Sequence, residues 1–173
     1  MKQHAQRSRR IGAPLLDLYA GVGLFSVAAS VRRGAVTVAV EGDKTAFDDL
    51  FTNGAAAGAN LTAIRASIEG LAAGLTKPKP AWPTLRQAAA ASGAPPLEAV
   101  IVDPPRTGLS PEALGGVLRI KPPRLIYVSC DVATLARDAR KIVDAGYAID
   151  RADAFDMFPN TPHVETVLVF NRI

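Results

Sequence analysis

Leu15-Leu16-Asp17-Leu18-Tyr19-Ala20-Gly21-Val22-Gly23-Leu24 reads as a strand, a glycine turn and the first residue of a helix. Glycines at 21 and 23 allow a tight turn, and they let a ligand approach the backbone where no Cβ stands in the way. A dinucleotide-type fingerprint would carry a third glycine at position 26; the chain has Ser26, so that motif is matched only in part. Glu41 closes the next apolar run, 18 residues beyond Gly23. A carboxylate at that strand end can accept hydrogen bonds from two ribose hydroxyls. Turn and carboxylate together point to a nucleoside ligand.

Outward from this unit, strands and helices alternate. The pattern predicts strands over 15–19, 36–40, 61–66, 99–102 and 125–128, with helices over 24–33, 44–57, 68–75, 84–92, 111–118 and 132–145, the second ended near Gly58 and the last capped by Gly146. Lys77-Pro78-Lys79-Pro80-Ala81-Trp82-Pro83 can be neither helix nor central strand, because prolines remove donors and fix φ; it is read as a surface insertion. The last two strands, 147–155 and 164–170, have no helix between them. The alternation predicts an α/β fold, a doubly wound seven-stranded sheet that is parallel except for an antiparallel last strand.

Two strand ends carry chemistry. Leu125-Ile126-Tyr127-Val128-Ser129-Cys130-Asp131 places the only cysteine where a strand runs into a helix. Ligands bind at that edge of an α/β sheet, and a helix amino terminus favours a thiolate, so Cys130 is the candidate nucleophile. A buried apolar filler is the competing reading, and the Asp131 carboxylate next door opposes ionisation of the thiol. Asp103-Pro104-Pro105-Arg106 ends the fourth strand in a rigid corner that holds the Asp103 carboxylate toward the cleft. Arg106 can meet a phosphate or pair with a nearby acid.

Composition sets limits on all of this. The chain has 173 residues, 49% of them hydrophobic, which suits one domain with a full core. One cysteine excludes an internal disulfide or a multi-cysteine metal site, and two histidines leave little for a metal. No apolar run is long enough to span a membrane, and the amino terminus has no secretory core, so a cytoplasmic location is expected. The net charge of +4 sits in residues 1–10, where Lys2, Arg7, Arg9 and Arg10 stand without an acid, leaving 16 basic and 16 acidic residues elsewhere. A basic leader over 1–12 is therefore set apart from a domain over 13–173. It offers phosphate contacts, or is simply a solvated leader or the stump of a domain boundary.

Four motifs carry a family resemblance. Asp17-Leu18-Tyr19-Ala20-Gly21-Val22-Gly23-Leu24-Phe25-Ser26, Asp103-Pro104-Pro105-Arg106-Thr107-Gly108-Leu109, Tyr127-Val128-Ser129-Cys130-Asp131 and Phe158-Pro159-Asn160-Thr161-Pro162-His163-Val164-Glu165 resemble, in order and spacing, the motifs of the RNA 5-methyluridine methyltransferases that use S-adenosylmethionine (SAM). The likeness covers roughly residues 14 to 172. It implies a Rossmann-like class I SAM-methyltransferase domain and methyl transfer to C5 of a uridine in structured RNA, ribosomal slightly ahead of transfer RNA, with S-adenosylhomocysteine as the other product. It implies Cys130 as nucleophile, Glu165 as base, and Tyr19, Gly21, Gly23, Glu41 and Asp103 as the SAM site, without a metal. His163 is given no chemical role.

Larger members of that family also carry an oligonucleotide-binding barrel, a further domain and a glutamine-bearing segment that closes over SAM. None is seen here, and Gln3 and Gln6 lie in the leader; an excised catalytic domain, or a trimmed homologue working with a separate RNA-binding domain or subunit, is implied. Leu24 stands where some members have asparagine, and Ser67 about where an acid or amide often meets adenine. The rival readings are an amino-group methyltransferase, whose Asp/Asn-Pro-Pro motif would end in an aromatic rather than Arg106, and an inactive SAM- or RNA-binding fragment.

Overall fold

The computed structural model describes residues 12–76, 97–157, 159–161 and 164–173. The leader up to residue 11, the proline-rich stretch, the helix expected over 84–92 and His163 lie outside the described residues. Seven strands, β1 (Gly12–Leu18), β2 (Ala35–Glu41), β3 (Leu61–Arg65), β4 (Ala99–Val102), β5 (Arg124–Ser129), β6 (Tyr147–Phe155) and β7 (Glu165–Arg172), form one sheet in the order β3-β2-β1-β4-β5-β7-β6. The described helices are α1 (Leu24–Arg33), α2 (Lys44–Ala56), α3 (Ile68–Thr76), α4 (Pro111–Ile120) and α5 (Val132–Asp144).

The pairs from β3 through β5 are all parallel, whereas β7 runs antiparallel to β5 on one side and β6 on the other. A helical crossover returns the chain to the same end of the sheet, and a direct connection does not; β6 and β7 lack the helix, so β7 is reversed. The doubly wound, seven-stranded reading of the sequence therefore holds.

Burial explains which strands are central. β4 is buried at every position and β2 at all but its last, as expected of strands covered on both faces, while β6 is largely exposed at one edge. Side chains alternate along β1 and β2, so Leu16, Leu18, Val38 and Val40 enter a large core with Ile68, Leu114 and Ile142 from α3, α4 and α5. Ala39 points to the other face and meets Leu50 of α2 in a smaller core. Full burial of Leu50 is worth about 1.5–3 kcal/mol.

The helices begin on side-chain caps that can be read locally. Asp43, Ser110 and Asp131 each accept a hydrogen bond from the backbone N–H three residues on, and Pro111 sits in the first turn of α4, where its missing donor costs nothing. Only α1 departs from this, starting from Gly23 with no side-chain cap.

Most boundaries shift by a residue or two from the sequence reading, and the two shifts that bear on the site are both in β1. β1 opens at Gly12, which pairs with Ala35, rather than at Leu15. Tyr19 is not in the strand: its φ of 61° breaks the ladder and turns the chain into the glycine loop. Since β1 and β4 are neighbours whose crossovers leave in opposite directions, the sheet has its switch point between them. A crevice at the carboxyl ends of those strands is the ligand site this topology offers.

Candidate functional site

Strand order lines up the candidate residues along one edge. Glu41 ends β2, Tyr19 and Gly21 follow β1, Asp103 follows β4, Cys130 follows β5 and Glu165 opens β7, and these five strands are consecutive in the sheet. Neighbouring strands lie about 4.8 Å apart. One end of the row therefore holds the glycine turn and the other holds the neighbouring strand ends of Cys130 and Glu165, with Asp103 between.

The glycine-turn end is tightly organised. Glu41 accepts the Gly21 N–H through Oε2 at 2.8 Å and the Asp43 N–H through Oε1 at 2.7 Å. Each oxygen keeps a second lone pair that could meet a ligand hydroxyl. The two glycines do different work. At Gly21 (φ 54°) a Cβ would meet nothing within 4 Å, so the turn is open on that side. At Gly23 (φ 94°) it would lie 2.7 Å from Leu50 Cδ1, so this glycine leaves room for the packing of α2. Tyr19 is half-buried, and its hydroxyl donates to Glu69 Oε1 at 3.2 Å, an oxygen that also takes the Ser110 hydroxyl at 3.1 Å. Burial, then the Glu69 charge, push the Tyr19 hydroxyl well above its ordinary range.

Asp17 lies beneath this turn, wholly buried, with Oδ2 accepting the Ser26 N–H at 3.0 Å and Oδ1 without a partner. Burial pushes its pKa up to about 7; contacts with Ser26 offset part of that, and the Asp103 and Glu41 charges add to it. A buried acid with a raised pKa is a stabilising group only while protonated, so its contribution is lost as pH rises from about 4 through about 7. Asp17→Asn should keep the Ser26 bond through its amide oxygen. Urea unfolding should show the variant gaining on the wild-type protein across that window and levelling off above it.

At the other end, the β5–β7 ladder pairs Val128 with Val167 and closes on Ser129 with Thr166, so Cys130 is the next residue after one strand's last pair and Glu165 the residue just before the other's. Cys130 is a free, partly exposed thiol. It stands at the tip of a turn in which Ser129 Oγ accepts the Asp131 N–H at 3.1 Å and donates to the Asp131 carbonyl at 3.0 Å. The Asp131 carboxylate, the neighbour expected to oppose the thiolate, caps α5 through Oδ1, which takes the Thr134 N–H at 2.8 Å and hydroxyl at 3.1 Å. Burial raises the Glu165 pKa, and burial followed by the charge of Glu165 raises that of Asp103 to about 6. Asp103 and Glu165 thus share one field. Arg106 is exposed and forms no ion pair with any described residue, which leaves its guanidinium available to an anion.

The sequence reading missed Glu69, which joins Tyr19 to the cap of α4, and Asp138, which is buried on α5. Asp138 had a signal: it interrupts an otherwise apolar stripe of Leu135, Ala139 and Ile142. Glu69 had none, because its partners lie 50 and 41 residues away. Among the described residues no cluster of three or more His, Cys, Asp or Glu is suited to a metal, and no helix is long and apolar enough to cross a membrane.

A family model described as tRNA (uracil-5-)-methyltransferase matches residues 4–173. The chain belongs to the tRNA (uracil-5-)-methyltransferase family. Within it, the chain is 39% identical over 158 residues to the 23S rRNA (uracil(1939)-C(5))-methyltransferase RlmD of Pseudomonas putida, covering 90% of this chain and 31% of that one. The structure of the Pyrococcus abyssi tRNA (uracil-54, C5)-methyltransferase in complex with S-adenosyl-L-homocysteine superposes with a TM-score of 0.70 at 32% identity, over 92% of this chain and 34% of that one. TrmN from Thermus thermophilus, 19% identical with a TM-score of 0.61 over 94% of this chain and 44% of that one, shares the fold. The chain spans about a third of the length of the family members it matches.

Proposed function

We propose that this domain transfers a methyl group from SAM to C5 of a uridine in structured RNA, through a transient bond between Cys130 and C6. The observation that carries this reading is the β5–β7 ladder, whose last pair, Ser129 with Thr166, comes just before Cys130 on one strand and just after Glu165 on the other, at the edge next to the switch point. A family relation to uracil-C5 methyltransferases supports the choice of base.

The residues present fit SAM. The space beside Gly21 lies open, and Glu41 ends β2 with lone pairs to spare. Tyr19, Gly21, Glu41 and Asp103 would hold the cofactor, with Gly23 shaping the turn through its packing on Leu50. When bound, SAM supplies an electrophilic methyl group on a sulfonium.

The chain's own residues do the rest. C5 of uracil is a poor nucleophile; addition of the Cys130 sulfur to C6 moves the C5=C6 electron pair into an enolate with density at C5. After C5 carries the methyl group, Glu165 takes the C5 proton, the C5=C6 bond re-forms and the Cys130–C6 bond breaks with its electron pair returning to sulfur. A carboxylate whose pKa is raised by burial is a better base for this than an ordinary surface one. Arg106, exposed on the Asp103 loop and without an ion pair among the described residues, would meet an RNA phosphate.

Ribosomal RNA is the preferred substrate, supported by the likeness to the Pseudomonas enzyme, and a separate RNA-binding domain or subunit would help to grip it. Such work would be done in the cytoplasm. An amino-group methyltransferase is disfavoured, since it needs neither the thiol nor the carboxylate at the neighbouring strand end. Incubation of the protein with isotopically methyl-labelled SAM and total RNA, then nucleoside mass spectrometry, should give labelled 5-methyluridine. Labelled methyladenosine would favour the amino-group reaction. SAM binding by calorimetry without any methylated nucleoside would mark a fragment that needs its missing partner.

A further inference from the structure

We propose that Asp138 is a positioning residue for this reaction, locking the Asp103 loop and the Cys130 strand to α5 as one rigid unit; the proposal rests on the methyl-transfer reading above. Its Oδ2 accepts the Tyr127 hydroxyl at 2.8 Å and the Leu109 N–H at 2.9 Å, and its Oδ1 accepts Arg137 Nε at 2.9 Å. Tyr127 lies on β5 three residues before Cys130, and Leu109 ends the loop that Asp103 begins. One carboxylate thus joins three segments that converge on the reacting edge.

Neighbours on α5 extend the clamp. Arg137 Nη2 donates to the carbonyls of Thr107 at 3.0 Å and Leu109 at 3.4 Å, and Thr134 Oγ1 donates to the Arg106 carbonyl at 3.0 Å. The loop is drawn so close that a Cβ on Gly108, at φ 73°, would lie 2.6 Å from both Arg137 Nη2 and Asp138 Oδ2. Burial disfavours the Asp138 charge, but Arg137, Leu109 and Tyr127 together hold its pKa below the ordinary carboxylate range.

The fold alone does not require this arrangement. Asp138 is fully enclosed on a stripe otherwise made by Leu135, Ala139 and Ile142, and buried ionic groups are often replaceable by apolar ones with no loss of stability. What an apolar residue would not supply is a directional hold on Leu109 N–H and the Tyr127 hydroxyl at once. The clamp fixes where Asp103 and Arg106 stand relative to the sulfur, and catalysis is sensitive to such placement.

Two variants test this without opening the core. Tyr127→Phe keeps the ring and removes one donor; Arg137→Ala changes a side chain that is 46% exposed. Both are assayed well below their melting temperatures for kcat, for KM with RNA, for SAM affinity by calorimetry and for amide exchange at Leu109. Each should lower kcat about ten-fold, since a displacement near 1 Å can cost up to about 10²-fold. SAM affinity should fall by less than kcat, because Tyr19, Gly21 and Glu41 lie outside the clamp, and Leu109 should exchange faster. An unchanged kcat despite faster exchange in both variants would overturn the positioning role alone. A wild-type protein that methylates no RNA would overturn the functional reading, and this proposal with it.

Discussion

Cys130→Ala should abolish methyl transfer while leaving SAM binding largely intact. The size of the loss follows from the role. Without sulfur at C6 there is no enolate, C5 has too little electron density to attack a sulfonium, and no other described side chain at that edge is a comparable nucleophile. Turnover should fall by at least about 10³-fold, since removal of a covalent nucleophile can cost up to about 10⁶-fold. SAM affinity should survive because the thiol stands beyond β5, whereas the glycine turn and Glu41 belong to β1 and β2, two and three strands away. Calorimetry with SAM and single-turnover methylation of RNA, run on the same preparation, read the two quantities separately. Equal rates for the alanine and wild-type proteins would remove the thiol from the mechanism.

Glu165→Gln fails at a different step. The amide cannot take the C5 proton, so addition and methyl transfer proceed but release does not. Turnover should drop about 10²–10⁴-fold, the usual contribution of a positioned general base. The protein should accumulate bonded to methylated RNA and run as a slow band on a denaturing gel, and Cys130→Ala in the same chain should abolish that band. A Glu165→Gln protein that turns over normally and forms no such band would show that another group takes the proton. The raised pKa of Glu165 gives this base a pH signature: activity should rise with pH through a pKa above the ordinary carboxylate range, because only the ionised form accepts the proton.

Much of this was legible in local sequence, because each signal depends on a few adjacent residues. Gly21 and Gly23 announce a turn after an apolar strand, the Pro104-Pro105 pair stops β4 at Asp103, and Ser129-Cys130-Asp131 marks a strand end running into a helix cap. The absence of a helix between β6 and β7 reversed the last strand, and that reversal brings the start of β7, at Glu165, to the end of β5 that leads into Cys130.

What the sequence withheld depends on distance. Gly23 looked like a ligand glycine, yet its missing Cβ is needed by Leu50, 27 positions away. Tyr19 continued an apolar run and read as strand, but its hydroxyl bond to Glu69 comes with a left-handed backbone that no local pattern specified. Asp138 shows in sequence only as an acid that interrupts an apolar stripe, with nothing local to say what it meets. Only the packed sheet shows that Tyr127 and Leu109 reach it from two other segments.

The central claim is that a sulfur–carbon bond forms between Cys130 and C6 of the uracil that becomes methylated. Its most direct test is peptide mapping of the species trapped by Glu165→Gln, after nuclease and protease digestion, by tandem mass spectrometry. The peptide holding Cys130 should carry the mass of a 5-methyluridine nucleotide on its sulfur. An adduct on any other residue, or an unmodified Cys130 peptide from a preparation whose wild-type counterpart makes 5-methyluridine, would contradict it.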